Sequence, residues 1–129
     1  MKKVLVYIED EEFQAKLFSK IISDQVKDSG IKVITYTKAN EAKDFILYAN
    51  LKDIALVLID LSMYEISGFD MIKNLKAAKP ELVIAVLTSH EDPAIEKQAR
   101  SLGIAGYFVK NGDLKELERL RKFVLDTAI

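Results

Sequence analysis

The run Ala55-Leu56-Val57-Leu58-Ile59-Asp60 constrains the chain more than any other stretch, because apolar residues follow one another without a break until a carboxylate closes the run. No polar residue alternates within it. That is the pattern of a strand covered on both faces, found in parallel sheets flanked by helices rather than in sheets with one wet face. Asp60 then falls at the strand's carboxyl end, the edge at which open α/β sheets bind ligands, since the βα loops and helix N-termini there are free to receive them. A simple cap for the following segment is the competing role for Asp60, and the run alone does not separate the two.

The rest of the chain repeats the scheme. Val4-Leu5-Val6-Tyr7-Ile8 reads as a buried strand, followed at once by Glu9-Asp10-Glu11. Phe13, Leu17, Ile21 and Val26 then recur near helical spacing among lysines, predicting an amphipathic helix that stops at Ser29-Gly30. Ile31 to Tyr36 is a second strand, and Thr37 to Leu51 a second helix with Ala42, Phe45, Ile46 and Ala49 on one face. After the run to Asp60 comes a loop ending at Gly68 and a helix carrying Phe69, Ile72, Leu75 and Lys76, punctuated by Pro80. Leu82 to Leu87 is a fourth strand ending in Thr88-Ser89, and Pro93 suits the first turn of a helix running to about Leu102 and Gly103. Ile104 to Val109 is the fifth strand, ending in Lys110; Asn111-Gly112-Asp113 turns the chain into a closing helix marked by Leu114, Leu117, Leu120 and Val124. Strands alternating with helices in this way imply a parallel sheet covered on both faces with right-handed crossovers.

Composition narrows the function. Nineteen basic and 20 acidic residues nearly cancel, so no overall basic field draws the chain to nucleic acid. There are no cysteines, which excludes disulfides and thiolate metal sites. No apolar run approaches the roughly 20 residues of a membrane span. The expectation is one cytoplasmic domain over residues 1–129, without direct nucleic-acid binding or membrane insertion.

The polar residues at the strand ends then gain meaning together. Glu9 and Asp10 end the first strand, Asp60 the third, Thr88 the fourth and Lys110 the fifth. If those strands are neighbours, the side chains converge, and crowded carboxylates either shift their pKa values or share a cation. Oxygen ligands without His or Cys suit Mg²⁺, which also accepts a phosphoryl oxygen. Lys110 and Thr88 are placed to hold an anion on the far side of that ion. Each residue also has a duller use. Glu9, Asp10 and Glu11 suit a first helical turn, Lys110 a solvated surface, Thr88 a turn, Tyr107 core filling, and His90, with no second His or Cys, a solvent-facing loop.

These motifs, Glu9-Asp10-Glu11 after Val4-Leu5-Val6, Asp60 with Gly68 eight residues on, Thr88-Ser89, and Gly103-Ile104-Ala105-Gly106-Tyr107-Phe108-Val109-Lys110, resemble the receiver domain of two-component response regulators, particularly the single-domain chemotaxis type. The spacings, 28 residues from Asp60 to Thr88 and 22 from there to Lys110, agree with it. The resemblance implies a flavodoxin-like doubly wound five-stranded parallel sheet in the order 2-1-3-4-5 with five helices, a family arrangement that is itself a standard example of such folds. It implies Asp60 as phosphoacceptor, and Asp10, Asp60 and the backbone carbonyl of Ser62 as Mg²⁺ ligands, with Glu9 acting through a metal-bound water. Lys110 and Thr88 would hold phosphoryl oxygens, and Tyr107 would turn inward as a switch that alters the surface of the fourth helix, fifth strand and fifth helix. The implied partners are a histidine kinase or phosphotransfer protein and a downstream protein target; a homodimer through the fourth-helix to fifth-helix face is compatible with the same reading.

Two positions depart from the family pattern. Asn111 follows Lys110 where proline is usual, which predicts a trans Lys110-Asn111 bond, and Tyr64 stands where proline often stiffens the loop after the phosphoacceptor. These departures leave open a receiver that acts as a phosphorylation-independent interaction module. A Mg²⁺-dependent aspartyl-phosphate phosphatase is opposed by Ser62, which stands where such an enzyme needs a second carboxylate as general acid. Ser62 and His90 fall at positions that tune dephosphorylation in the family.

Overall fold

The computed structural model describes residues 3–128. The unbroken apolar runs become parallel strands: β1 (Lys3–Ile8), β2 (Ile31–Tyr36), β3 (Ile54–Ile59), β4 (Ile84–Thr88) and β5 (Gly106–Val109), hydrogen-bonded in the order β2-β1-β3-β4-β5. Between and after them run α1 (Glu12–Val26), α2 (Ala39–Tyr48), α3 (Gly68–Ala78), α4 (Pro93–Arg100) and α5 (Leu114–Ala128), with a short 3₁₀ turn at Leu51–Asp53 before β3. This is the doubly wound, flavodoxin-like arrangement. Every residue of β3 is buried, as its composition requires, whereas β2 at the sheet edge has no fully buried residue.

The two-residue period of the strands divides the core into two layers. Val6, Ile8, Val57, Ile59, Ile84, Val86 and Tyr107 face α2, α3 and α4, meeting Ala42, Ile46, Met71, Ile72, Leu75 and Ala99. Leu5, Tyr7, Leu56, Leu58, Leu87 and Phe108 face the opposite way, onto Phe18, Ile22 and Val26 of α1 and Leu120 and Val124 of α5. Each large aliphatic side chain so covered contributes roughly 1.5–3 kcal/mol relative to exposure.

The buried stripe of α1 differs from the one its sequence predicts. Ala15, Phe18, Ile22 and Val26 face the sheet, while Phe13 is 70% exposed and Leu17 42% exposed. Leu17-Phe18 and Ile21-Ile22 are adjacent apolar pairs, so two stripes one residue apart both satisfy helical spacing, and the direction in which the chain leaves β1 selects between them. α2 is also shorter than predicted, ending at Tyr48. Glu11 caps α1, accepting from Phe13 N and Gln14 N, and Ser67 and Asp92 cap α3 and α4. Gly30, with φ of +83°, lets the chain reverse after α1 into β2. No peptide bond among the described residues is cis, so Lys110-Asn111 is trans. No helix among the described residues is long and apolar enough to cross a membrane.

Candidate functional site

Strand periodicity assembles the site. Glu9, Asp60 and Lys110 each lie two residues beyond an inward residue of the α1/α5 layer, namely Tyr7, Leu58 and Phe108, so all three side chains leave the sheet on the same side. They meet. The Lys110 ammonium donates to Glu9 Oε1 and, at 3.3 Å, to Asp60 Oδ2. Their side chains are only 2%, 1% and 8% exposed for Lys110, Glu9 and Asp60, so the cluster lies almost wholly out of water. Burial pushes the Glu9 carboxyl up to about 7; the Lys110 bond opposes the rise and the neighbouring Asp60 adds to it. The same surroundings, burial first and then the charges of Glu9 and Asp60, raise the Tyr7 hydroxyl beneath the cluster.

The remaining acceptors stand around this core. Glu11 N donates to Glu9 Oε2 at 3.2 Å, and Ser62 N to Asp60 Oδ1 at 3.3 Å. Asp10, half-buried, accepts from Tyr64 N at 2.7 Å through Oδ2. An open cleft of about 700 Å³ is lined by Glu9, Asp10, Asp60, Ser62, Tyr64 and Lys110, among others. Its loop wall is folded tightly. Gly68 N donates to Leu61 O at 3.0 Å, and a Cβ at Gly68 would lie 2.5 Å from both the Asp60 carbonyl oxygen and Leu61 Cα, so only glycine fits where α3 turns back against the end of β3.

Thr88 occupies a different place. It is fully buried, does not line the cleft, and falls on the strand parity of Ile84 and Val86, the layer that also holds Tyr107. Its hydroxyl oxygen is buried without a hydrogen-bond partner. Tyr107 already lies inward, 2% exposed, with its hydroxyl donating to His90 O at 2.8 Å. His90 is half-buried, and its Nε2 pairs with Oγ of the exposed Ser62 at 2.5 Å. That pairing joins residues 28 positions apart, and no local pattern announces it.

The donor set suits a hard cation. The acidic side chains lining the cleft, Glu9, Asp10, Glu11 and Asp60, offer oxygen donors only, and the crowding of Glu9 and Asp60 around one ammonium leaves negative charge that a divalent ion would balance. Among the described residues no group of three or more His, Cys, Asp or Glu side chains closes into a cage. An ion here would be held by one or two carboxylates and retain water, which is the habit of Mg²⁺.

A family model, response regulator receiver domain, matches residues 5–121. Among curated proteins, the chain is similar to the two-component response regulator ORR1 of Oryza sativa subsp. indica, 25% identical over 126 residues, covering 92% of this chain and 53% of that protein. It is similar also to the chemotaxis protein CheV2 of Helicobacter pylori, 26% identical over 124 residues, covering 94% of this chain and 38% of that protein. The chain thus spans about half the length, or less, of these relatives. Among solved structures, the chemotaxis response regulator CheY4 of Vibrio cholerae superposes with a TM-score of 0.75 at 19% identity, covering 96% of this chain and 99% of that one. A response regulator receiver domain protein from Clostridium thermocellum gives a TM-score of 0.78 at 21% identity, covering 96% and 94%.

Proposed function

The chain belongs to the response regulator receiver domain family, and from that premise we propose that Asp60 accepts a phosphoryl group in a Mg²⁺-dependent reaction. The observation that carries the reading is the Asp60 carboxylate in an open cleft that Asp10 also lines, with Lys110 Nζ 3.3 Å from its Oδ2. In the transfer, an Asp60 oxygen bonds to phosphorus as the bond from phosphorus to a donor histidine nitrogen breaks, leaving a mixed anhydride on Asp60 and an imidazole on the donor. Asp10, Asp60 and the Ser62 carbonyl would hold Mg²⁺, with Glu9 acting through its water. Mg²⁺ neutralises charge on the transferred oxygens when bound. Lys110 releases its hold on the carboxylates toward a phosphoryl oxygen, and the protein's contribution is chiefly to position groups and offset charge.

The buried, unpartnered Thr88 hydroxyl supports the same reading, because a phosphoryl oxygen on Asp60 offers it an acceptor. Its movement would be felt by Tyr107 in the same layer and so by the α4-β5-α5 surface that a downstream protein reads. A histidine kinase or phosphotransfer protein supplies the phosphoryl group, in the cytoplasm where such partners act.

Intact-mass measurement after incubation with acetyl phosphate and Mg²⁺ tests the proposal. The native chain should gain one phosphoryl group, lost with chelator and absent in Asp60→Asn. An adduct on both proteins would move the acceptor elsewhere, and an adduct on neither would remove the phosphoacceptor role.

A further inference from the structure

The loop between β3 and α3 is tethered where its sequence lacks a stiffening residue, and the tether reaches the N-terminus of α2. The N-cap of α2 is Lys38, which gives no side-chain bond to the helix N-terminus. Glu65, from the loop, supplies what Lys38 lacks: its Oε1 accepts from Ala39 N at 3.1 Å and its Oε2 from Asn40 Nδ2 at 3.0 Å. A carboxylate at the positive end of a helix is favoured by the exposed amides and the dipole together. The residue before it, Tyr64, donates its backbone N–H to Asp10 Oδ2 at 2.7 Å, although its side chain is 99% exposed. Adjacent residues of one loop thus bind α2 on one side and an acidic residue of the site on the other.

We propose that Glu65 is a positioning residue: by capping α2 from the β3–α3 loop it fixes the Tyr64 amide against Asp10, and with it the Ser62 carbonyl, in the geometry that takes up Mg²⁺. The inference rests on the phosphoacceptor reading above and adds to it a residue that touches neither metal nor phosphate. Partners of metal ligands typically alter affinity by about 10–100-fold when removed. Glu65 acts one step further out, through the loop backbone.

The test separates loop placement from helix stability. Mg²⁺ affinity is measured by titrating the ¹⁵N-labelled protein and following the Asp10 and Tyr64 amides, with phosphorylation by acetyl phosphate as a second readout. Glu65→Ala should weaken Mg²⁺ roughly tenfold, the low end of the range for outer partners, and shift the Tyr64 amide before any metal is added. Glu65→Gln, which keeps an acceptor for Ala39 N, should stay within about twofold of the native chain. Lys38→Ser combined with Glu65→Ala gives α2 a cap of its own, since Lys38 has the extended backbone of an N-cap (φ −114°, ψ 112°). That double variant should recover thermal stability while Mg²⁺ affinity stays low. Recovery of both together would reduce Glu65 to a helix cap and overturn the proposal, as would native Mg²⁺ affinity in a folded Glu65→Ala. If the native chain itself neither binds Mg²⁺ nor takes phosphate, the phosphoacceptor reading fails first.

Discussion

Glu9 is a carboxylate almost wholly out of water, beside a second carboxylate and one ammonium. Its pKa, raised to about 7 by burial and lying above the ordinary 4.5, means that protonation favours the folded state. The stabilising contribution is therefore complete below about pH 4.5 and is lost as pH climbs through 7. Urea unfolding in metal-free buffer at pH 5 and pH 8 should show the native chain losing more stability over that interval than Glu9→Gln. Equal losses would mean that Glu9 is ionised at no cost. Residue types at strand ends were enough to single out Glu9, Asp60 and Lys110, because period-two geometry forces them to one side. Ser62 with His90 and Glu65 with Ala39 were not readable: each pair joins distant loops or a loop and a helix end, where no periodicity operates. Thr88 ends β4 at the same edge of the sheet but on the parity of Tyr107's layer, so its approach to a phosphoryl group on Asp60 stays part of the proposal.

Among the elements, the strands were the most readable, since burial on both faces leaves runs that little else explains. Helix faces were less so, as the rotated stripe of α1 shows. α5 adds a feature visible only in three dimensions. β5 is an edge strand, and α5 covers its free backbone groups with side chains: Glu116 Oε2 accepts from Val109 N at 2.9 Å and Arg119 Nη2 donates to Tyr107 O at 2.6 Å. Arg119 also pairs with Glu116, holding that carboxyl below its ordinary pKa, and its guanidinium lies 4.2 Å from the Phe108 ring centroid. Such an edge is otherwise a template for unwanted strand pairing. Arg119→Ala should cost about 1 kcal/mol in urea unfolding and speed hydrogen exchange at the Val109 amide. Unchanged exchange would mean that the arginine only decorates the helix.

For the whole molecule, the order of strands followed from the family resemblance rather than from pattern, because alternation of strand and helix fixes a parallel sheet without fixing which strands are neighbours. That order is what brings β1, β3 and β5 residues to one cleft. A cation bound there must stabilise the fold by mass action, by about 2.7 kcal/mol at a concentration a hundredfold above its dissociation constant. Thermal melts should accordingly move upward with Mg²⁺ for the native chain and much less for Asp10→Asn. A melting temperature indifferent to Mg²⁺ in the native chain would exclude a metal site in the cleft.

Trapping the product shows which carboxylate takes the phosphoryl group. Borohydride reduces an acyl phosphate to the alcohol, so peptide mapping of the acetyl-phosphate-treated chain should find homoserine at position 60 and aspartate at position 10. Reduction at Asp10 or Glu9, with Asp60 unaltered, would mean that Asp60 is not the acceptor.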